Sequence, residues 1–203
     1  MKLLPTTLPH VLILEPKVFG DDRGYFLETF HAEKFRELGL PDEFVQDNQS
    51  FSKRGVIRGL HYQLEQPQGK IVRCTRGRIL DVAVDIRRGS PTFGKWTSVE
   101  LSAENKLMLW VPPQFAHGFS VLSEDAEVLY KCTTPWHQPS DRSILWNDPD
   151  LAIDWQVSDP SISPKDAAGK PLREAEVFEY DAPPSGNAVF PPRVSKNSYD
   201  AGS

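Results

Sequence analysis

The chain has 203 residues, with 23 basic and 28 acidic side chains and a formal net charge of −5. That length fits one domain of the larger all-β kind plus appendages, and the negative balance argues against nonspecific binding to nucleic acid or an anionic membrane. An anionic ligand must then be met by a local basic patch, and no apolar stretch of about 20 residues is present to span a bilayer.

The first residues hold Lys2, prolines and a short apolar run, Val11 to Leu14, rather than the long hydrophobic segment of a signal peptide. Cys74 and Cys132 lie inside apolar runs, outside any CxxC or Cys/His zinc spacing. They read as buried, reduced thiols, and the expected location is the cytoplasm.

In chain order, Val11 to Leu14 predicts a first strand, Asp21-Asp22-Arg23-Gly24 a turn and Tyr25 to Phe30 a second strand. His31 to Leu38 is the clear helical segment, with Phe35 and Leu38 on one face and Gly39 as its stop. From Phe44 onward the pattern is short strands over 44–52, 56–63, 70–76, 78–87, 96–101, 107–111, 117–122 and 126–132, separated by Gly, Pro and Asn/Asp turns. Such regular spacing argues for an all-β antiparallel sandwich or barrel of the jelly-roll kind, with helix as the minority element. Ile144 to Trp146 and Ile153 to Trp155 predict short strands laid over the barrel, and Ser161 to Asp166 a polar turn. The expected domain covers 1–182; residues 183–203, with prolines, Ser, Asn and Gly, have the composition of a flexible tail.

The chemistry concentrates in Arg58-Gly59-Leu60-His61-Tyr62-Gln63 and Gln68-Gly69-Lys70-Ile71-Val72-Arg73. Strand alternation puts Arg58 with Leu60 and Tyr62, and His61 with Gln63, unless a bulge brings Arg58 and His61 to one pocket. In the second run either Lys70 or Arg73 faces a cavity, and spacing leaves both open. His61 is a general-base candidate because imidazole titrates near neutrality, and it then needs a carboxylate or carbonyl to fix its tautomer. Tyr130 is either a pocket-lining phenol or packing, and His117, after Pro112-Pro113, is either a site residue or structural. Arg23 and Arg58 suit phosphate oxygens or surface ion pairs. Phe19, Phe26 and Trp136 suit a nucleobase or the core.

Jelly-roll metalloproteins of the cupin type share an HxH pair, a later Glu and a distant His. Here the pair reads His61-Tyr62-Gln63 and the later position is Pro67, so only His61 and His117 of the four ligands are present. Two imidazoles do not complete the usual three- or four-ligand site, and no catalytic metal is expected.

Eight ordered segments resemble the dTDP-4-dehydrorhamnose 3,5-epimerases, metal-free enzymes of the cupin class. They are Asp22 to Glu28, Phe44 to Ser50, Arg58 to Gln63, Gln68 to Lys70, Pro112 to Phe119, Tyr130 to Cys132, Trp146 to Pro149 and Ser163 to Asp166. The resemblance implies a double-stranded β-helix (cupin jelly roll) with a few short peripheral helices. It implies a reaction without cofactor on a dTDP-4-keto-6-deoxysugar, in which a base removes the proton beside the C4 ketone and an acid returns one on the opposite face, at C5 and then C3. Carried over by position, the base falls on His61, its orienting carboxylate on Asp166, the acid on Tyr130 and the cation beside the enolate oxygen on Lys70. Ligand contacts would fall on Arg23, Glu28, Gln46, Asp47, Asn48, Arg58, His117 and Lys165. Arginines would hold the pyrophosphate, and aromatics such as Phe19 and Phe26 the thymine. In the family the segment of Arg23 reaches across a dimer interface, so a homodimer is implied.

Two departures stand out among the implied substrate contacts: Asp141 occupies a ligand-binding position where members commonly carry glutamate, and Trp136 falls near an aromatic, often tyrosine, that lines the sugar pocket. Related enzymes on the same scaffold invert one carbon or move the ketone between C3 and C4, and those readings remain open beside the double epimerase. A metal-dependent cupin using His61 and His117, and a non-catalytic nucleotide-sugar binding module, are the more distant alternatives.

Overall fold

The computed structural model describes residues 1–181, so the tail expected over 183–203 lies outside the described residues. In chain order the elements are β1 (Lys2–Pro5), β2 (Leu12–Glu15), β3 (Val18–Asp21), β4 (Gly24–Leu27), α1 (Ala32–Glu37), β5 (Gln46–Lys53), β6 (Val56–Gln63) and β7 (Lys70–Arg76). They continue with β8 (Arg78–Asp85), β9 (Arg87–Arg88), β10 (Trp96–Ser102), β11 (Met108–Val111), β12 (Phe115–Val121), β13 (Asp125–Cys132), β14 (Asp141–Ser143), β15 (Ser161–Ile162), α2 (Pro164–Ala167) and β16 (Phe178–Glu179).

One sheet runs β1-β2-β11-β7-β13-β5 and the other β10-β8-β12-β6-β14, with β15 joining β6 in parallel. Apart from β1 and β2, strand neighbours in these two sheets are not sequence neighbours, and the main pairings are antiparallel, as a jelly roll requires. The expected fold is therefore borne out. Among the described residues no helix is long and apolar enough to cross a membrane.

Alternation along the strands sorts side chains into three apolar layers. Between the sheets, Val72, Cys74, Ile79, Ala83, Phe119, Val121, Ala126 and Val128 pack into one buried cluster. Outside the second sheet, Ile57, Leu60, Tyr62, Leu80, Val82 and Val84 are covered by Leu151, Trp155, Leu172 and Ala175. Outside the first, Leu14, Ile71 and Trp110 are covered by Phe35 of α1 and by Leu40.

The inner faces change character along their length. Continuing the same alternation, Lys70 follows from Val72, Tyr130 and Cys132 from Val128, and Asp81 lies between Ile79 and Ala83. One end of the space between the sheets is thus sealed by hydrocarbon, and the other is lined with polar groups.

Strand β6 departs from simple alternation, and the departure builds the site. Ile57, Leu60 and Tyr62 all enter the outer cluster although Ile57 and Leu60 are three apart. The pairing of β12 with β6 shifts register between His117 opposite His61 and Phe119 opposite Arg58. The slip puts Arg58 and His61 on the same inner face, the bulge alternative left open by the sequence. Glycines permit it: Gly59 has φ +128°, and a Cβ on it would lie 2.5 Å from Gly118 Cα and 2.9 Å from His117 O. A Cβ on Gly118 would in turn lie 2.7 Å from Arg58 O. Gly59→Ala is therefore expected to cost about 3 kcal/mol or more, since both the dihedral and the backbone contact must give. Urea unfolding followed by tryptophan fluorescence checks this, and a midpoint unchanged from wild type contradicts it.

Several local expectations are corrected. The segment 153–155 carries no strand, and the strand expected over 144–146 falls earlier, at β14, with Ile144 exchanging backbone hydrogen bonds with Leu60 and bridging Lys170. Trp146 and Trp155 are used instead as covering side chains, with Trp155 Nε1–H donating to the carbonyl of Trp146 at 2.8 Å. Paired aromatics laid on a sheet mimic a strand's apolar pattern without its ladder. The polar turn at 161–166 contains β15 and the start of α2, whose Ser163 caps it by accepting from Asp166 N–H at 3.1 Å. The strand expected over 25–30 stops at Leu27 and pairs with β3, which was not anticipated.

Candidate active site

At the polar end of the inter-sheet space, His61 Nε2 lies 2.6 Å from Asp166 Oδ1. The carboxylate is the buried partner at 4% side-chain exposure, while the imidazole keeps 32%. Gly59 N–H also donates to Asp166 Oδ2, at 3.4 Å. Asp166 is presented by α2, so a cap residue, a four-residue helix and the β6 bulge together orient one imidazole. With Nε2–H given to the carboxylate, Nδ1 is the ring nitrogen left to accept a proton.

Burial works to raise the Asp166 carboxyl, but the hydrogen bond and charge of His61 and the Gly59 and Ser163 contacts outweigh it and hold it below the usual aspartate range. Asp85 behaves alike: burial is opposed by hydrogen bonds from Arg87, Ser90 and Thr92, and the net shift is downward. A carboxyl with a depressed folded pKa adds stability that is present above its unfolded value and lost as pH falls through the folded one. The acid limb of the stability profile should therefore steepen below about pH 4. Asp85→Asn, which breaks a pair with side chains 0% and 12% exposed, should lower stability at pH 7 by about 3 kcal/mol and flatten that limb. Thermal melts across pH 3 to 7 measure both.

Across the space, β7 and β13 contribute Lys70 and Tyr130. The alternation that left Lys70 and Arg73 open is decided for Lys70: it is 8% exposed and shares the inner face with Val72, whereas Arg73 falls on the face of Ile71. Burial pushes the Lys70 ammonium down, opposed by the charges of Cys132, Asp141 and Asp81. Burial also pushes the Tyr130 phenol up, with Arg58 working against it, so the phenol holds its proton at neutral pH.

Arg58 lies exposed at the mouth of this space and donates from Nε to Ser52 Oγ at 3.0 Å. Gln46 Nε2 donates to Asn48 Oδ1 at 3.0 Å, and both side chains point inward. Asp47 does not join them: it sits between them on the outer face, 70% exposed, bonded to Lys131 Nζ at 2.9 Å. Strand alternation thus places Asp47 on the sheet's exterior, not with the ligand contacts that the resemblance implied.

His117 faces the same interior, 6% exposed, with Nε2 2.5 Å from Asp81 Oδ1. Asp81 is fully buried and its Oδ2 has no protein partner. Sequence reasoning missed Asp81. The available signal was a lone carboxylate in the apolar run Ile79 to Val84, which burial tolerates only with a partner.

Trp136, Asp141 and Lys165 close the open end. Lys165 Nζ and Trp136 Nε1 both approach Asp141 Oδ2, at 2.5 and 3.2 Å. Gln63, where a metallocupin would carry its second imidazole, gives its amide to the carbonyls of Gln66 and Pro135 and accepts from His137 N–H. Among the described residues no group of three or more His, Cys, Asp or Glu side chains gathers as a metal would need.

Arg23, Phe19, Phe26 and Glu28 are not brought into this interior. They lie on or beside the β3–β4 hairpin, where Phe19 and Phe26 are 52% and 68% exposed. Arg23 is bonded to Asp21 of its own turn and Glu28 to Lys34.

Residues 5–174 match the family model described as dTDP-4-dehydrorhamnose 3,5-epimerase. A dTDP-4-dehydrorhamnose 3,5-epimerase of Pseudomonas aeruginosa is 56% identical over 180 residues, covering 88% of this chain and 99% of that protein. A dTDP-4-dehydrorhamnose 3-epimerase of Streptomyces niveus is 36% identical over 177 residues, covering 86% of each. The crystal structure of dTDP-6-deoxy-D-glucose-3,5-epimerase from Legionella pneumophila in complex with dTDP-4-keto-L-rhamnose matches with a TM-score of 0.87 at 50% identity, covering 89% of this chain and 99% of that one. Sequence, fold and a model match over residues 5–174 converge, and the chain belongs to the dTDP-4-dehydrorhamnose 3,5-epimerase family.

Proposed function

We infer that the chain inverts a dTDP-4-keto-6-deoxysugar at C5 and C3 through enolate intermediates, giving dTDP-4-dehydro-L-rhamnose. The observation that carries this reading is the His61–Asp166 dyad on one sheet, opening into the same interior as Lys70 and Tyr130 on the other. The relative solved with dTDP-4-keto-L-rhamnose supports the sugar assignment. Double inversion is favoured over single inversion by identity, 56% to a 3,5-epimerase against 36% to a 3-epimerase.

A proton beside a ketone is weakly acidic, so its removal needs a base and a stabilised oxyanion. His61 Nδ1 takes the C5 proton while Asp166 holds the ring and balances the imidazolium. Charge moves to the C4 oxygen, where the Lys70 ammonium meets it in a site screened from water. Tyr130 returns a proton to the opposite face of C5, and the ketone re-forms. Solvent resets both groups, and the cycle repeats at C3. No redox change and no leaving group are involved, so the protein's own side chains balance the reaction.

Arg58, Gln46 and Asn48 line the approach for the nucleotide end, with His117 and Lys165 beside the sugar. Arg23, Glu28, Phe19 and Phe26 would reach the nucleotide of a second copy, which makes the active form a homodimer; their exposure on a projecting hairpin supports this. Two free buried thiols fit a cytoplasmic setting.

The deciding experiment is incubation with dTDP-4-keto-6-deoxyglucose in deuterated water, followed by NMR of the trapped product. Deuterium should enter at C3 and C5. Incorporation at neither carbon sinks the reading, and incorporation at one alone replaces it with a mono-epimerase.

A further inference from the structure

Asp141 stands apart from the other polar groups around the pocket because two donors from different segments converge on one of its oxygens. The Lys165 ammonium lies 2.5 Å from Oδ2 and the Trp136 indole N–H 3.2 Å from it. The carboxylate is the enclosed member, 12% exposed, while Lys165 is 54% and Trp136 55% exposed. The two donors therefore lie over it on the solvent side.

Each donor leads to a different half of the site. Lys165 precedes Asp166 on α2, a helix of four residues that cannot hold itself by its own hydrogen bonds. Its side-chain ties are the Ser163 cap, the contacts of Asp166 with His61 and Gly59 N–H, and the Lys165–Asp141 pair. Trp136 leads the other way: its backbone N–H donates to Gln46 Oε1 at 2.7 Å, and Gln46 donates to Asn48, which lies opposite Tyr130 in the β13–β5 register. Asp141 is thus the link in a chain of contacts running from the base's helix, on one sheet, to the strand beside the acid, on the other.

We propose that Asp141 is a positioning residue that fixes the span between His61 and Tyr130 by tying α2 to the Trp136 loop, rather than a contact to the substrate. An exposed lysine pair is ordinarily worth little because the side chain gives up its rotamer freedom. Here the value lies in geometry: a base and an acid that must address opposite faces of one ring tolerate little drift.

The test has a structural arm and a kinetic arm. In hydrogen exchange read by mass spectrometry, Asp141→Asn should speed exchange of the amides over 165–168 about tenfold, while those of β7 and β13 keep their protection. Lys165→Met cuts the same tie at an exposed side chain and should give the same local change; it carries the arm if Asp141→Asn fails to fold. Unchanged exchange over 165–168 in both variants overturns the proposal, whatever the enzyme's activity.

The kinetic arm rests on the epimerase reading. Asp141→Asn should lower kcat about 10- to 100-fold with KM changed less than about threefold. It should also release more singly exchanged, uninverted substrate per product, because the enolate forms but is less often protonated from the far face. Asp141→Glu, which keeps the charge, should recover to within about fivefold of wild type. A raised KM at unchanged kcat makes Asp141 a substrate contact and overturns the proposal. A lowered Tm with both constants unchanged makes it merely structural and overturns it as well. A wild-type protein that exchanges no deuterium defeats the epimerase reading instead, and the structural arm still decides the positioning role.

Discussion

His61→Asn is expected to lower kcat/KM by about 10³-fold or more, equivalent to about 4 kcal/mol of transition-state stabilisation, and to abolish deuterium incorporation at C5 and C3 together. Asparagine is close in size to imidazole's proximal half but stops short of the Nε2 position, so Asp166, 4% exposed, loses one hydrogen bond and keeps the Gly59 N–H donor. The Tm should therefore change by only a few degrees, separating loss of chemistry from loss of fold. Binding of dTDP, read by calorimetry, should be nearly unaffected, since the proposed nucleotide contacts are Arg58, Gln46 and Asn48. Asp166→Asn should cost less, about 10²-fold, because it disturbs the orientation and basicity of the imidazole without removing it. A His61→Asn enzyme within tenfold of wild-type kcat/KM would take the base assignment away from His61.

The parts of the fold that were legible in the sequence are those where a residue's neighbours two positions away decide its environment. Strands β5 to β8 and β10 to β13 alternate well enough that their observed ends fall within a few residues of expectation. Alternation also locates the site's floor, since Lys70 shares parity with Val72 and Tyr130 with Val128, while Asn48 falls on the polar face of β5 with Gln46, Ser50 and Ser52. The same rule separates Asp47 from its two neighbours, yet a run of resembling residues had carried all three into one ligand set. What could not be read is whatever depends on a distant chain segment. The β6 slip needs Gly59 against Gly118, which are 59 positions apart. The partner of His117 is Asp81, 36 positions away in sequence, and no spacing rule points from one to the other. The covering role of Trp146 and Trp155 likewise exists only once a sheet is there to be covered.

Lys70→Met should be the second most damaging change, with kcat reduced about 10²- to 10³-fold and KM for the dTDP-sugar little altered. Methionine matches the length of the lysine stem and keeps its packing, so the variant removes the charge and little else. That charge is costly to keep: burial pushes the ammonium toward its neutral form, and the nearby Cys132, Asp141 and Asp81 only oppose the shift. A lysine held 8% exposed among carboxylates has value only if negative charge develops beside it during the reaction. The ground-state ketone is neutral and gains little, whereas the enolate gains the full interaction, which is why the loss should fall on kcat. Solvent exchange and product formation should drop by the same factor, because enolate formation itself becomes harder; a defect in the returning acid at Tyr130 would instead leave exchange ahead of inversion. Equal losses in exchange and turnover for Lys70→Met, set against unequal losses for Tyr130→Phe, would assign the two side chains to opposite sides of the same intermediate, and the reverse pattern would exchange their roles.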